Sequence, residues 1–458
     1  LGAVIVYAVT LSSTIYNSSG VYPGAPSFTI WREGSNYFAK DANGQIKYSG
    51  TNATEIFAQV YAVCSNTIGK SIFVKHGTYN FDHGLAIDFR TAGSGYFSLL
   101  GENGAVFNAT ANLHAPVWSD FLEFYKGTNI LVSGITFDAN MKDIAYGIHF
   151  SGYGATNNIE VTGCAFKDFI HSTTTHLGLA LIDYAGINIY WHGNYFENCE
   201  QGIVITSYTG VQKNIIISEN LFLGCGHSIN CEAVDEISVI LITNNAIYHN
   251  HSIYSRDESI DGCIGINVYG KGTYGACSIS NNVISGDVIS SNLTGIRVNR
   301  MASASIVGNS IMNAWSNHTA GVSPHSGGIT VRGVMRATIS GNSVYNSSFG
   351  INIWEQNEIP MFITVTGNAL SALGEYGIYL SKCQNSTFAG NNVDNVGKWG
   401  YYESYGSNQE DYNLLVGNSF TNCGTGGIFV QGPHDRVCCS WNCSIFIRFY
   451  NSTVLETG

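Results

Sequence analysis

Charge is scarce in this chain. Asp, Glu, Lys and Arg make up only 11% of its 458 residues, and the net charge is −12. No basic run and no basic-aromatic interleaving occurs, which excludes the usual nucleic-acid partner. There are twelve cysteines but no Cys-x-x-Cys pair, so neither a zinc ribbon nor a haem-attachment site is encoded. The apolar segment LGAVIVYAVTL, residues 1–11, lacks charge altogether; it is too short to cross a bilayer and has no basic flank. Nor does the chain begin with Met, so a processed form whose targeting segment has been removed is expected.

What is abundant is asparagine in a fixed frame. Asn194, Asn220, Asn245, Asn282, Asn309, Asn342, Asn368, Asn391, Asn418 and Asn442 follow a short apolar strand, in frames such as IVGNSI, ISGNSV and VTGNAL. Their spacings are 26, 25, 37, 27, 33, 26, 23, 27 and 24 residues. Such a period, with insertions in only some units, is that of a solenoid. Each unit also carries Gly followed by apolar-x-apolar: GIVI at Gly202, GINV at Gly265, GIRV at Gly295, GITV at Gly328, GINI at Gly350, GIYL at Gly377 and GIFV at Gly427. Period-two alternation means strands with one buried face. Three short strands per unit, bent at Gly and Asn, build one turn of an all-β parallel β-helix. Each repeat Asn is expected in a left-handed bend, bonding the Asn of the next turn. SGITF at Ser133 and VTGCAF at Val161 fit as earlier, looser turns. At about 4.8 Å per turn, about twelve turns give a rod roughly 55–60 Å long.

A solenoid grows by adding turns, so residues 36–458 are read as one domain and residues 1–35 as an extended strand and connector. The segment 52–67 places Ile56, Phe57, Val60, Tyr61 and Cys64 at helical spacing behind Asn52 or Thr54 as N-cap. A helix over 53–66 is predicted to plug the open end of the rod. The strand carrying Val4, Ile5, Val6, Tyr7 and Val9 is apolar on both faces. It is expected to lie along its own solenoid, to join a neighbouring molecule by strand addition, or to be the remnant of a longer membrane anchor.

The stretch DANGQIKYSGTNATEIFAQVYAVCSNTIGKSIFVKHGTYNF and the Gly-Asn repeats resemble the pectate-lyase-like superfamily of right-handed parallel β-helices, over roughly residues 38–450. That resemblance specifies a fold, since the superfamily includes lyases, hydrolases, epimerases, tailspikes and non-catalytic surface proteins. It implies that the Gly-I-x-V strand carries the substrate groove of the enzymes. Its outward residues would be His149 and Ser151, Val204 and Thr206, Asn230 and Glu232, Asn267 and Tyr269, and Arg297 and Asn299. Thr330 and Arg332, Asn352 and Trp354, Tyr379 and Ser381, Tyr402 and Ser404, and Phe429 and Gln431 continue the strip. Aromatic faces stack on sugar rings while Asn, Arg and Glu bond hydroxyls, so Asn267, Tyr269, Asn299, Trp354, Tyr379 and Tyr402 form a candidate glycan track. The plain alternative is a solvated sheet face or a subunit interface.

Candidate acids are Glu232, flanked by Asp235 and Glu236, and the loop holding Asp257, Glu258 and Asp261. That loop is equally suited to Ca²⁺ through oxygen ligands; no other cofactor or metal is expected. Arg297 or Arg332 would assist a β-elimination. No Asn-Thr-Asp, Asp-Asp, Gly-His-Gly and Arg-Ile-Lys set of a polygalacturonase occurs, and Ser323-Pro324-His325 and Gly432-Pro433-His434 lack the acid of the epimerase Asp-Pro-His. Ten sequons occur, at Asn17, Asn52, Asn108, Asn250, Asn292, Asn317, Asn346, Asn385, Asn442 and Asn451, and they point to a secreted glycoprotein. Asn250, Asn292, Asn317 and Asn346 are expected at one loop position along a rim. Cys199 and Cys225 should stack on adjacent turns as a disulfide or as two thiols, and Cys423, Cys438, Cys439 and Cys443 crowd the far end.

Two functional readings follow. The favoured one is an extracellular, glycosylated structural subunit that self-assembles into a filament or surface layer through its N-terminal strand. The other is a polysaccharide-active lyase or glycoside hydrolase, or a glycan-binding adhesin, using the outer strip.

Overall fold

The computed structural model describes residues 25–65, 69–89, 96–113, 120–151, 156–170, 178–184, 186–206, 213–234, 239–249, 263–270, 275–287, 293–315, 327–356, 358–404, 412–431, 436–438 and 447–450. Its repeating unit is clear in one turn. Strand Gly186–His192 bends at Gly193-Asn194 into Tyr195–Glu197, which turns at Asn198 into Gln201–Thr206. Strands of the first two kinds stack into a 28-stranded sheet, and those of the third kind into a 14-stranded sheet. Pairing between turns is parallel and in register, as in Ile189↔Ile215 and Ile203↔Ile229. Fourteen rungs at about 4.8 Å make a rod roughly 60 Å long.

The asparagines form a continuous hydrogen-bonded ladder. Asn282 donates from its backbone N–H (3.0 Å) and from Nδ2 (2.9 Å) to Oδ1 of Asn309, one turn on. Its Nδ2 also donates backwards to the carbonyl of Ile242 (3.0 Å). The same pattern runs from Asn194 to Asn418. Cys164 takes the first ladder position and donates its N–H to Asn194. The left-handed conformation does not fall on the ladder Asn, contrary to expectation. It falls one residue earlier, on Gly193, Glu219, Asn244, Asn281, Gly308, Gly341, Gly367, Gly390 and Gly417. The bend needs one residue at positive φ to swing the chain, and this leaves the next side chain pointing inward, where an amide can stack.

A second, exposed ladder joins Asn129, Asn158, Asn188 and Asn214, all at positive φ, through Nδ2–Oδ1 bonds of 2.7–2.9 Å. Inside the rod, Phe137, Phe166, Phe196 and Phe222 stack nearly parallel at 4.7–5.3 Å, and aliphatic side chains continue the column from Ile247 to Val393. Glycine opens the third strand because two backbones meet there. A Cβ on Gly377 would lie 2.4 Å from the Gly400 carbonyl and 2.4 Å from Val393.

The helix spans Ala53–Ser65, with Asn52 as its cap: Asn52 Oδ1 accepts from the N–H of Thr54 at 2.8 Å. Ile56, Phe57, Val60, Tyr61 and Cys64 are all buried, and Phe57 packs on Phe107 at 4.9 Å, closing the aromatic column. Residues 28–35, expected as part of the connector, instead join residues 36–50 in antiparallel strands Phe28–Glu33, Asn36–Asp41 and Ile46–Gly50. Phe28–Glu33 also pairs in parallel with Lys70–Val74. The solenoid therefore incorporates residues 28–35, because Phe28 and Ile30 have an apolar column to enter. The N-terminal strand with Val4, Ile5, Val6, Tyr7 and Val9 lies outside the described residues.

Cys199 and Cys225 stack on adjacent turns as buried thiols, the Gly226 N–H bonding the Cys199 carbonyl. Burial, and secondly its contact with Cys225, holds the Cys199 thiol well above its ordinary range. Burial pushes Cys64, Cys164 and Cys277 up to about 12. Cys423 is also a thiol; the side chains of Cys438, Cys439 and Cys443 lie outside the described residues.

Two predictions follow from these contacts. Asn309→Ala should lower stability by roughly 2–4 kcal/mol, since it strands the buried donors of Asn282; Asn188→Ala, in the exposed ladder, should cost under about 1 kcal/mol. Urea midpoints would measure both. The core thiols have folded pKa values raised above the ordinary 9.0. Their contribution is therefore intact below about pH 9 and fades as pH rises toward about 12. Thiol reagents at neutral pH should modify them only after unfolding, as mass spectrometry would show.

Candidate functional site

The outward residues of the 14-stranded sheet fall in the register read from the sequence. His149, Ile182, Val204, Asn230, Asn267, Arg297, Thr330, Asn352, Tyr379, Tyr402 and Phe429 form one row. Beside it, Tyr269, Asn299, Arg332, Trp354 and Ser381 form a second, which Thr206 and Glu232 join across a register shift that follows Cys231. The surprise is burial. Asn267 is 2% exposed, Arg297 7%, Asn299 3% and Arg332 6%, so the middle of this face is neither an open track nor a solvated surface.

Two polar centres stand on it. In the middle, a chain of amides leads to a guanidinium. Asn230 Nδ2 donates to Gln201 Oε1 (3.0 Å), Asn267 Nδ2 donates to Asn230 Oδ1 (2.8 Å), and Arg297 Nε donates to Asn267 Oδ1 (2.9 Å). One rung on, the Arg332 guanidinium lies 4.4 Å over the Trp354 ring. Between them, Asn299 Oδ1 and Thr330 Oγ1 are buried without a hydrogen-bond partner. Arg300 Nη1 donates to the Tyr269 hydroxyl at 3.0 Å. Further down, Tyr379, Tyr402 and Phe429 stack at 5.5 and 4.7 Å with nearly parallel rings.

Toward the N-terminal end, sequence reasoning named His149 and Ser151 but missed their partners. His149 Nδ1 lies 2.9 Å from Asp120 Oδ2, and Ser151 Oγ donates to Glu123. Asp120 and Glu123 sit on strand Asp120–Tyr125, whose frame DFLEFY has no Gly-I-x-V signal. Only the pairing of His149 with Glu123 in the sheet brings them together. These carboxylates and the imidazole offer ligand atoms within 4.8 Å of one another. They are the described residues that could hold a metal; the Asp257 and Asp261 loop, expected to take Ca²⁺, lies outside the described residues.

Glu232 is exposed, and its carboxylate accepts from Asn230 Nδ2 at 3.0 Å. It stands in the second row two rungs before Asn299 and three before Arg332, so it is not paired with Arg332. Among the four described sequons only Asn385 is exposed. Nδ2 of Asn52 donates to Asp82, that of Asn108 to Asn80 and that of Asn346 to Asn313. Asn346 therefore stacks on Asn313, and the other three members of the expected rim, Asn250, Asn292 and Asn317, lie outside the described residues. Asn17, Asn442 and Asn451 lie outside them as well. Elsewhere, a cavity of about 420 Å³ lined by Glu197, Tyr248, His249 and Asp287 opens at the corner after the three-residue strands, away from both centres. No described helix is long and apolar enough to cross a membrane.

Comparison with known proteins fits this geometry. Residues 294–446 match the family described as right handed beta helix region, which gives the hand of the coil. The fold is a right-handed parallel β-helix. No curated protein matches the chain. Among solved structures it is similar to a periplasmic alginate epimerase, at 12% identity over 85% of this chain and 78% of that one, with a TM-score of 0.44. A thermostable alpha-1,3-glucanase catalytic unit from Streptomyces thermodiastaticus matches at 14% identity, 81% and 66% coverage and a TM-score of 0.44. A family 6 polysaccharide lyase from Pseudopedobacter saltans matches at 12% identity, 88% and 92% coverage and a TM-score of 0.43.

Proposed function

We propose that the protein is a polysaccharide-processing enzyme acting outside the cytoplasm, and that it takes a uronic-acid polymer on the outward face of the 14-stranded sheet. The observation that carries this reading is the pair of buried guanidiniums on adjacent rungs, Arg297 held through Nε by an amide relay and Arg332 stacked on Trp354. Guanidinium groups bind carboxylates with directed, charge-assisted hydrogen bonds, and enclosure strengthens that pairing. The unpartnered Asn299 Oδ1 and Thr330 Oγ1 offer bonds to sugar hydroxyls, and the Tyr379–Tyr402–Phe429 stack offers ring faces for neighbouring sugars.

Elimination is the chemistry this set serves. Arg297 and Arg332 neutralise the uronate carboxylate, which acidifies the proton on the adjacent carbon. The Tyr269 oxygen, one rung before Arg297 and nearer than Glu232 at two, takes that proton. The carbon–oxygen bond to the leaving sugar breaks with its electron pair going to oxygen, a carbon–carbon double bond forms, and the Tyr269 hydroxyl, held by Arg300, protonates the departing oxygen. Self-assembly through residues 1–11 is a separate proposal, tested by whether their deletion changes the size of the purified particle.

Incubation with a panel of uronate polymers should yield a product with the ultraviolet absorbance of an unsaturated uronate, and neutral glucans should yield none. Arg297→Gln and Arg332→Gln should each reduce kcat/KM by about 100-fold. An enzyme inert on every uronate polymer, or indifferent to both substitutions, would sink the reading.

A further inference from the structure

We infer that Asp120, Glu123 and His149 form a binding site for a divalent transition-metal ion of the Zn²⁺ type. The site goes beyond the proposed activity and stands apart from it. His149 lies five rungs from Arg297 along one outward row, roughly 24 Å at the spacing of strands.

The strands build the cluster from two neighbouring rungs. Glu123 and His149 are direct partners across the sheet, and Asp120 is opposite Tyr146. All three side chains project from the same face, and their ligand atoms lie within 4.8 Å of one another. Atoms bound to one ion at about 2.0–2.2 Å are separated by somewhat less than this, so a small side-chain rotation closes the set. Asp120 is 7% exposed and His149 5%.

The second observation is what these buried groups leave unused. Asp120 Oδ1 and His149 Nε2 are both sealed from solvent without a hydrogen-bond partner. A buried carboxylate oxygen and a buried imidazole nitrogen lacking partners are costly to the fold, and a cation seated between Asp120 and His149 Nδ1, which now lie 2.9 Å apart, would satisfy the carboxylate. The surroundings hold the imidazole in place. The rings of Tyr146 and Tyr184 flank His149 at 4.8 Å each, and their hydroxyls meet at 3.1 Å. Ser151 Oγ donates to Glu123, fixing the second carboxylate from the next turn. Oriented ligands supported by such neighbours mark built metal sites.

Donor chemistry selects the ion. Ca²⁺ and Mg²⁺ prefer shells made wholly of oxygen with six or more ligands. One imidazole with two carboxylates suits Zn²⁺ or a related first-row ion, with a position left for water or an outside ligand.

The test uses the full chain, stripped by chelator and titrated calorimetrically with Zn²⁺ and separately with Ca²⁺. One equivalent of Zn²⁺ should bind, and the thermal midpoint should rise. His149→Gln and Asp120→Asn should each weaken Zn²⁺ binding by at least about 100-fold, while their circular dichroism without metal matches that of the parent. Should either variant misfold, Glu123→Gln serves in its place. Co²⁺ substitution should give the visible absorption of a four-coordinate site, lost in the variants. Absence of Zn²⁺ uptake, uptake of Ca²⁺ alone, or Zn²⁺ uptake unchanged in the variants would each overturn the assignment. Uronate turnover is not a readout here, so failure of the metal site and failure of the proposed activity are distinguishable.

Discussion

The stacked amide is the interaction on which the rest of this structure depends. A buried asparagine is ordinarily a liability, because three or four polar valences must be satisfied away from water. Repetition removes the liability. Each ladder Asn accepts twice from the turn before it and donates to the turn after it, so the solution found for one rung serves the next. The ladder also removes freedom of register. A one-residue slip would turn a side-chain amide toward Phe222 or Ile242 and send an apolar group into the bend.

With register locked, the outward face becomes a lattice of fixed addresses. Arg297 and Arg332 are on neighbouring rungs because their strands are, and Asp120 reaches His149 for the same reason. Functional groups on this face are therefore placed by backbone pairing, and rigid sheet elements hold geometry better than loops do. Burial of Arg297 and Asn299 adds a low-dielectric setting in which polar contacts count for more.

Much of this was legible in the chain. The Asn spacing gave the coil, the helical spacing of Phe57 and Tyr61 gave the plug, and the alternation after Gly gave the outward rows. The exposed ladder was missed although its signal is present: Asn129, Asn158, Asn188 and Asn214 are each followed by Ile. Asp120 and Glu123 were missed for a better reason. Their strand lacks the repeat frame, so nothing local places them beside His149. Enclosure of the strip was illegible in principle, since it depends on which parts of the fold come to lie over a sheet face. The left-handed residues were misplaced by one position, because Gly and Asn both tolerate that conformation and the two stand next to each other.

The uneven spacing of the ladder has its own implication. Asn245 and Asn282 are 37 residues apart while Asn368 and Asn391 are 23 apart, yet their Nδ2–Oδ1 bonds are 3.0 and 2.9 Å. Contour length between rungs is thus decoupled from rung geometry. A coil of this kind can accept or lose a dozen residues at a corner without disturbing the turns above and below. Variation in its corners amounts to re-dressing a mast whose spar heights never change.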